Sequence, residues 1–198
     1  MAAASGGCDV RILLLWVAYQ AFWLACILGA RHGWLAAAPL AFVLFVGVRY
    51  AVGTQAGWRS DAIHALQAGI AGFAMESMLV ATGVLRYALP WPSTSLAPAW
   101  IGLIWVAFAL SLRDGLTILH ARPRLAGAAG ALLAPPSYMI AARQFGVLDF
   151  PRGMLPAWLA LAATWLLAMP LVLHLMRLSD TGSAVHHIHL RKTHDHGH

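Results

Sequence analysis

The chain has 198 residues, of which 61% are hydrophobic and 10% are charged, with a mean hydropathy of +0.72 and a formal net charge of +6. Soluble domains carry about 25% charged residues, so this composition excludes an ordinary soluble protein. The two cysteines are too few for a disulfide framework. The thirteen basic residues are spread along the chain rather than gathered in one patch, which argues against nucleic-acid binding.

Six apolar stretches each approach the roughly 20 residues that a helix needs to cross a bilayer. They cover residues 10–30, 34–53, 61–86, 98–120, 123–144 and 155–178. The sequence therefore predicts an all-α membrane protein, a bundle of six transmembrane helices over residues 10–178. A short N-terminal segment, residues 1–9, precedes the bundle, and a His-rich tail, residues 179–198, is predicted to follow it as disordered chain.

The basic residues are distributed unequally between the two sides of such a bundle. Nine fall on the side of the termini and four on the other side, and an excess of arginine and lysine is typical of the cytoplasmic face. The pattern predicts that both termini are cytoplasmic.

The first and third predicted helices carry isolated polar residues. Gln20 in helix 1 is framed by Trp16 and Trp23, which lie on the same helical face. Glu76 in helix 3 shares a face with small residues, which allow another helix to approach closely. These small residues are Ala65, Gly69, Gly72 and Gly83. An ionisable group at membrane depth is costly, so Glu76 is expected to point into the bundle.

The fifth predicted helix contains two consecutive prolines, Pro135 and Pro136, followed by Ser137 and Tyr138. Each proline lacks a backbone N–H, so the pair predicts a broken or kinked helix 5. Irregular backbone at membrane depth is tolerated where it is buried in protein or lines a cavity. The break is thus a second indication of an internal site.

A rise of about 1.5 Å per residue places Glu76 about 22 Å along helix 3, and Ser137 and Tyr138 about 21 to 23 Å along helix 5. Gln20 and Thr164, the latter in helix 6, lie nearer the middle of the membrane. We therefore predict a polar substrate-binding pocket formed by Glu76, Ser137 and Tyr138, with Gln20 and Thr164 close by. The alternative is that a protonated Glu76 only fastens helix 3 to a neighbouring helix.

The last thirteen residues contain six histidines, whose imidazoles suit weak binding of divalent metal ions. No Cys or Glu completes a defined site, so the sequence predicts no metal centre and no cofactor. A solvated tail without a role is the other interpretation.

Several short strings occur in one order along the chain. They are Trp23–Ala30, Glu76–Val80, Pro98–Trp100, Trp105, Phe108, Pro136–Tyr138, Trp165 and Met169–Pro170. In these strings the chain resembles an uncharacterised family of small bacterial six-helix inner-membrane proteins, a domain of unknown function. The family tends to have Asp where this chain has Glu76. The resemblance implies that the gene often lies beside genes for cyclopropane-type fatty-acyl modifying enzymes. It therefore implies a membrane-lipid role by association, and it transfers no catalytic residue.

Three functions follow from these observations. The first is a non-enzymatic accessory or binding protein for membrane-lipid or fatty-acyl modification, with membrane lipids and lipid-modifying enzymes as partners. The second is a small proton-coupled secondary transporter in which Glu76 carries the proton, for which six spans would need a homo-oligomer. The third is an intramembrane lipid-modifying enzyme, although none of the HExxH, GxSxG or His-box motifs is present.

Overall fold

A computed structural model describes the backbone of residues 5–52, 57–115 and 121–194, and the side chains of residues 10–52, 57–113 and 121–177. These ranges contain six helices and one pair of short strands. The helices are α1 (Ser5–Arg31), α2 (Ala37–Val52), α3 (Trp58–Ala81), α4 (Ala99–Gly115), α5 (Pro123–Arg143) and α6 (Met154–His194). The strands are β1 (Arg86–Tyr87), between α3 and α4, and β2 (Leu148–Asp149), between α5 and α6.

Four of the helices are long and apolar enough to cross a membrane. These segments are Val10–Arg31, Trp58–Ala81, Pro123–Arg143 and Met154–Arg177. The prediction of a mostly helical protein with membrane-type helices is thereby confirmed. The other two helices are shorter: α2 has 16 residues, a length of about 24 Å against a hydrocarbon core of about 30 Å. That α2 and α4 also span the bilayer stays a prediction.

The outward faces of the helices are apolar, the reverse of a soluble helical protein. Leu44, Leu132 and Leu155 are 72%, 70% and 69% exposed. By contrast, Asp61 and Glu76 are fully buried. Apolar residues outside and acids inside are what a hydrocarbon solvent requires, because a charged group facing lipid costs several kcal/mol.

Helices α4 and α6 contact each other, and each of them also packs against other helices of the bundle. α1 packs against α2 and α4, α3 packs against α4 and α6, and α5 packs against α6. Small residues allow two of these contacts to be close. A side chain at Gly72 of α3 would overlap the Trp105 indole, and one at Gly127 of α5 would lie 2.7 Å from the carbonyl oxygen of Leu166.

Helix α3 ends at Ala81, five residues before the predicted end of its span. The chain turns at Gly83, which has a φ of 70° and donates its N–H to the carbonyl of Val80 at 2.8 Å. Glycine adopts this left-handed conformation at little cost and therefore ends helices. Gly83 was predicted on the helical face with Glu76, and this placement is wrong because Gly83 lies beyond the helix. The other members, Ala65, Gly69, Gly72 and Glu76, are all buried in α3.

Helix α5 runs without interruption through Pro135 and Pro136. The structure therefore has no break at these prolines, and a bend of the helix axis stays a prediction. Close packing against α6, at Gly127 and Gly130, accompanies the continuous helix.

Helix α6 continues to His194, where the sequence predicted a disordered tail from residue 179. No proline follows Pro170 in the chain, so no residue there sterically prevents the helix from continuing. The histidine side chains of this segment lie outside the described residues, and so does the N-terminal part of segment 1–9.

Three loops meet at one end of the bundle. β1 pairs antiparallel with β2, with Arg86 opposite Asp149, and the two side chains form an ion pair at 2.6 Å. The guanidinium of Arg86 and the N–H of Phe150 hold the pKa of the Asp149 carboxyl below its ordinary value. Arg31 at the end of α1 donates to the carbonyl of Gln144 at 3.0 Å. The three loops thus form one connected layer over this end.

Candidate functional site

Glu76 lies fully buried on α3 beneath this layer of loops. Tyr87 donates its hydroxyl to Oε2 at 3.1 Å, and Tyr138 donates its hydroxyl to Oε1. Among the described residues no basic side chain forms an ion pair with Glu76. The carboxyl group is therefore held by two neutral donors from two different elements, β1 and α5.

Tyr87 was not predicted as part of the site. It lies one residue past the predicted end of helix 3, and the earlier end at Ala81 allows the chain to fold back so that its ring is 4% exposed. Ser77 fastens the following loop, because its Oγ accepts the N–H of Ala97 at 3.1 Å. Burial raises the pKa of Tyr87 well above its ordinary value, so its hydroxyl stays protonated and remains a donor.

A small cavity, which we name the inner cavity, lies against the two tyrosines that hold Glu76. Its volume is about 80 Å³, enough for a small head group or a few water molecules. Trp105 and Trp165 are stacked in its wall with ring centroids 4.6 Å apart. Eight aromatic rings line it: Tyr19, Trp23, Tyr87, Trp100, Trp105, Phe108, Tyr138 and Trp165.

A larger opening, which we name the lateral groove, lies between α1 and α5, two helices that do not pack closely on each other. Its volume is about 440 Å³, within the range of small-molecule sites. Exposed side chains at its rim, including Leu133 and Ile140, face the surroundings of the bundle. It shares five lining residues with the inner cavity: Tyr19, Trp23, Phe108, Ser137 and Trp165. The two spaces are thus adjoining parts of one site.

The predicted site residues have different positions relative to these spaces. Tyr138 contacts Glu76, and Ser137 lines both the groove and the inner cavity while its hydroxyl donates to the carbonyl of Ala134 at 2.7 Å. Gln20 is exposed and lines the groove, away from Glu76. Thr164 is half-buried and lines neither space. Their role in binding a substrate stays a prediction.

A second buried carboxylate lies at the opposite end of the bundle. Asp61, near the start of α3, pairs with Arg49 of α2 at 3.2 Å and with Arg113 of α4 at 2.5 Å. The side chains of the two arginines are only 10% and 20% exposed. This cluster joins three helices and is separate from the cavity residues.

One family model, described as "Protein of unknown function (DUF2878)", matches residues 12–171 of the chain. The match covers most of α1, all of α2 to α5 and most of the apolar part of α6. No curated protein and no solved structure matches the chain.

Proposed function

We propose that this chain, which belongs to that family of proteins of unknown function, binds a membrane amphiphile with one apolar chain. The amphiphile enters from the bilayer through the lateral groove and places its polar end in the inner cavity. In this proposal the protein is a non-enzymatic accessory to the modification of membrane lipids or fatty acyl chains.

One observation carries this proposal: an apolar groove open between α1 and α5 adjoins a small aromatic cavity that has a few hydroxyl groups in its wall. The groove is lined by Leu133, Ile140 and aromatic rings, which suit an acyl chain. Ser137, Tyr87 and Tyr138 supply the few polar groups that orient a ligand in an otherwise apolar pocket. A lipid is the ligand that reaches such an opening at membrane depth.

The setting of this function is also a proposal. All six helices span a bacterial inner membrane, with both termini cytoplasmic, in accord with the nine basic residues on that side. The gene order that the family resemblance implies supports lipid-modifying enzymes as partners, and a homo-oligomer is compatible with the small size of the bundle.

Filling the groove tests the proposal without touching Glu76. Ala129→Phe places a ring in the groove. Ala128→Phe places the same ring on the preceding residue of α5, which is exposed and lines neither space. Each variant is purified in native-lipid discs, and the retained lipids are identified by mass spectrometry. We expect wild type and Ala128→Phe to retain one enriched lipid species, and Ala129→Phe to lose at least about 90% of it, a tenfold loss of occupancy.

Equal lipid profiles in both variants and in empty discs would contradict the proposal. Loss of the lipid in both variants would show that bulk on α5, rather than the groove, controls retention. That result would also count against the proposed entry path.

A second candidate function is proton-coupled transport, favoured by the burial of Glu76 between two hydroxyl donors with no ion-pair partner in the described chain. An acid in this setting is suited to carry a proton through the membrane. If the protein is a transporter, a pH gradient across proteoliposomes is expected to drive uptake of its substrate, and Glu76→Gln is expected to abolish that coupling. Asp149→Asn, at an exposed ion pair, is the matched control. Coupled uptake that persists in Glu76→Gln would exclude this role for the glutamate.

A further inference from the structure

We infer that the inner cavity takes a positively charged, hydrogen-bond-donating head group, an alkylammonium rather than a carboxylate, phosphate or alcohol. This inference rests on the proposed binding function and names the chemical class of its ligand. Three independent features of the cavity support it: the direction of its hydrogen bonds, its aromatic walls and its unbalanced acid.

The direction of three hydrogen bonds shows which polar capacity remains for a ligand. Tyr87 and Tyr138 each donate their single hydroxyl proton to Glu76, and Ser137 donates its proton to the carbonyl of Ala134. A hydroxyl group has one proton to donate and two lone pairs to accept with. These three hydroxyl groups can therefore only accept from a ligand. The hydroxyl of Tyr19, which also lines the cavity and makes no hydrogen bond in the described part of the chain, can either donate or accept, so a donating head group suits all four.

The walls of the inner cavity are aromatic. Tyr19, Trp23, Trp105 and Trp165 are among the rings around a volume of about 80 Å³. Ring faces carry negative partial charge and attract ammonium groups within about 6 Å of the centroid. Enclosure by several rings is a known arrangement for binding organic cations, whereas an anion gains nothing from these faces.

The charges around the cavity also favour a cation. None of its lining residues is Lys, Arg or His, and Glu76 lies directly behind the two tyrosines. Glu76 itself does not line the cavity, so an anionic head group would lie one tyrosine hydroxyl away from a buried acid and would find no cation in the cavity wall. An ammonium group would donate to the tyrosine hydroxyls that in turn donate to Glu76, and would bring a positive charge to a site whose described lining has none.

Two indole N–H groups in the wall are the features that favour a hydrogen-bond-accepting head group instead. Within the described chain, Trp100 Nε1 and Trp165 Nε1 are buried; Trp100 makes no hydrogen bond, and Trp165 makes only a weak one, to the Tyr138 hydroxyl, which leaves that oxygen one further lone pair. Because both nitrogen atoms are buried, they do not present their protons to the open space of the cavity. The hydroxyl oxygens therefore decide the polarity that a ligand meets.

The test compares probes with the same twelve-carbon chain, brominated at the chain end: an alkylammonium, an alcohol, a carboxylate and a trimethylammonium. The full-length protein is reconstituted in zwitterionic lipid discs, and saturable quenching of tryptophan fluorescence reports binding. We expect the alkylammonium to bind about tenfold to a hundredfold more tightly than the alcohol or carboxylate, as a charge-assisted hydrogen bond would give. The trimethylammonium, which has no N–H to donate, is expected to bind with intermediate affinity.

Variants separate this inference from the proposed function. Glu76→Gln should bring the alkylammonium to within about threefold of the alcohol, whereas Asp149→Asn, the same chemical change at an exposed site, should leave the ratio unchanged. Equal or tighter binding of the alcohol or carboxylate in wild type overturns the inference and leaves the proposed function standing. Absence of saturable quenching by every probe, or quenching that Ala129→Phe does not weaken, overturns both.

Discussion

Replacing Asp61 by asparagine is expected to lower the free energy of unfolding by about 3 to 5 kcal/mol, the usual cost of breaking a buried ion pair from one side. The Asp61 carboxylate pairs with both Arg49 and Arg113, and it is 0% exposed. It also lies in the first turn of α3, where the helix dipole favours negative charge. The change leaves two largely buried guanidinium groups without the carboxylate that they share. Unfolding in mixed micelles, titrated with a denaturing detergent, measures the difference.

Asp149→Asn is the matched control, because Asp149 pairs with one arginine and both side chains are 60% or more exposed. Exposed ion pairs contribute about 0 to 1 kcal/mol. If Asp61→Asn and Asp149→Asn destabilise the protein equally, the three-helix cluster does not hold α2, α3 and α4 together, and the importance assigned to Asp61 is wrong.

Composition and span length were enough to predict the helices, because hydrocarbon requires long apolar segments and leaves few alternatives. Helix ends were harder to predict, and the end of α3 shows the reason. Leu85 is apolar and continues the hydrophobic run of the third span, yet Gly83 turns the chain with a φ of 70°. Hydropathy does not report the local backbone geometry that stops a helix.

Part of the site could be predicted by counting residues along the helices to compare their depths. Depth along α3 and α5 predicted that Glu76 and Tyr138 lie at one level, and the structure places their side chains in contact. The same reasoning could not find Tyr87, because depth can be counted only along a helix and Tyr87 reaches the acid from a loop strand. The only indication of Tyr87 in the sequence was its position next to the predicted end of the third span, the span that contains the isolated acid Glu76.

The sequence also did not predict which face of α1 points into the bundle. Trp16 and Trp23 flank Gln20 at helical spacing and suggested one inward face, yet Gln20 is exposed while Tyr19 is buried. A helix that is apolar on every side has no polar face to indicate its orientation. Gln20 therefore marks the lateral groove rather than the surroundings of Glu76.

Replacing Glu76 by leucine is expected to lower the free energy of unfolding by about 2 to 6 kcal/mol. The change puts an apolar side chain of comparable size at this position but removes the acceptor of two hydroxyl groups, Tyr87 and Tyr138. Each buried polar group left without a partner costs about 1 to 3 kcal/mol. The same unfolding titration in mixed micelles measures this loss.

The triple variant Glu76→Leu, Tyr87→Phe, Tyr138→Phe decides whether Glu76 is a structural link or part of a binding site. Replacing all members of a hydrogen-bonded group by apolar side chains of similar shape is close to neutral, so the triple variant should recover stability to within about 1 kcal/mol of wild type. The preference for the alkylammonium probe over the alcohol should nevertheless be absent, because the acceptor oxygens of the two tyrosines and the acid are gone. A triple variant that is stable and binds the probe as wild type does would show that the site lies elsewhere. One that remains as unstable as Glu76→Leu would show that Glu76 supports the fold through contacts other than these two hydroxyl groups.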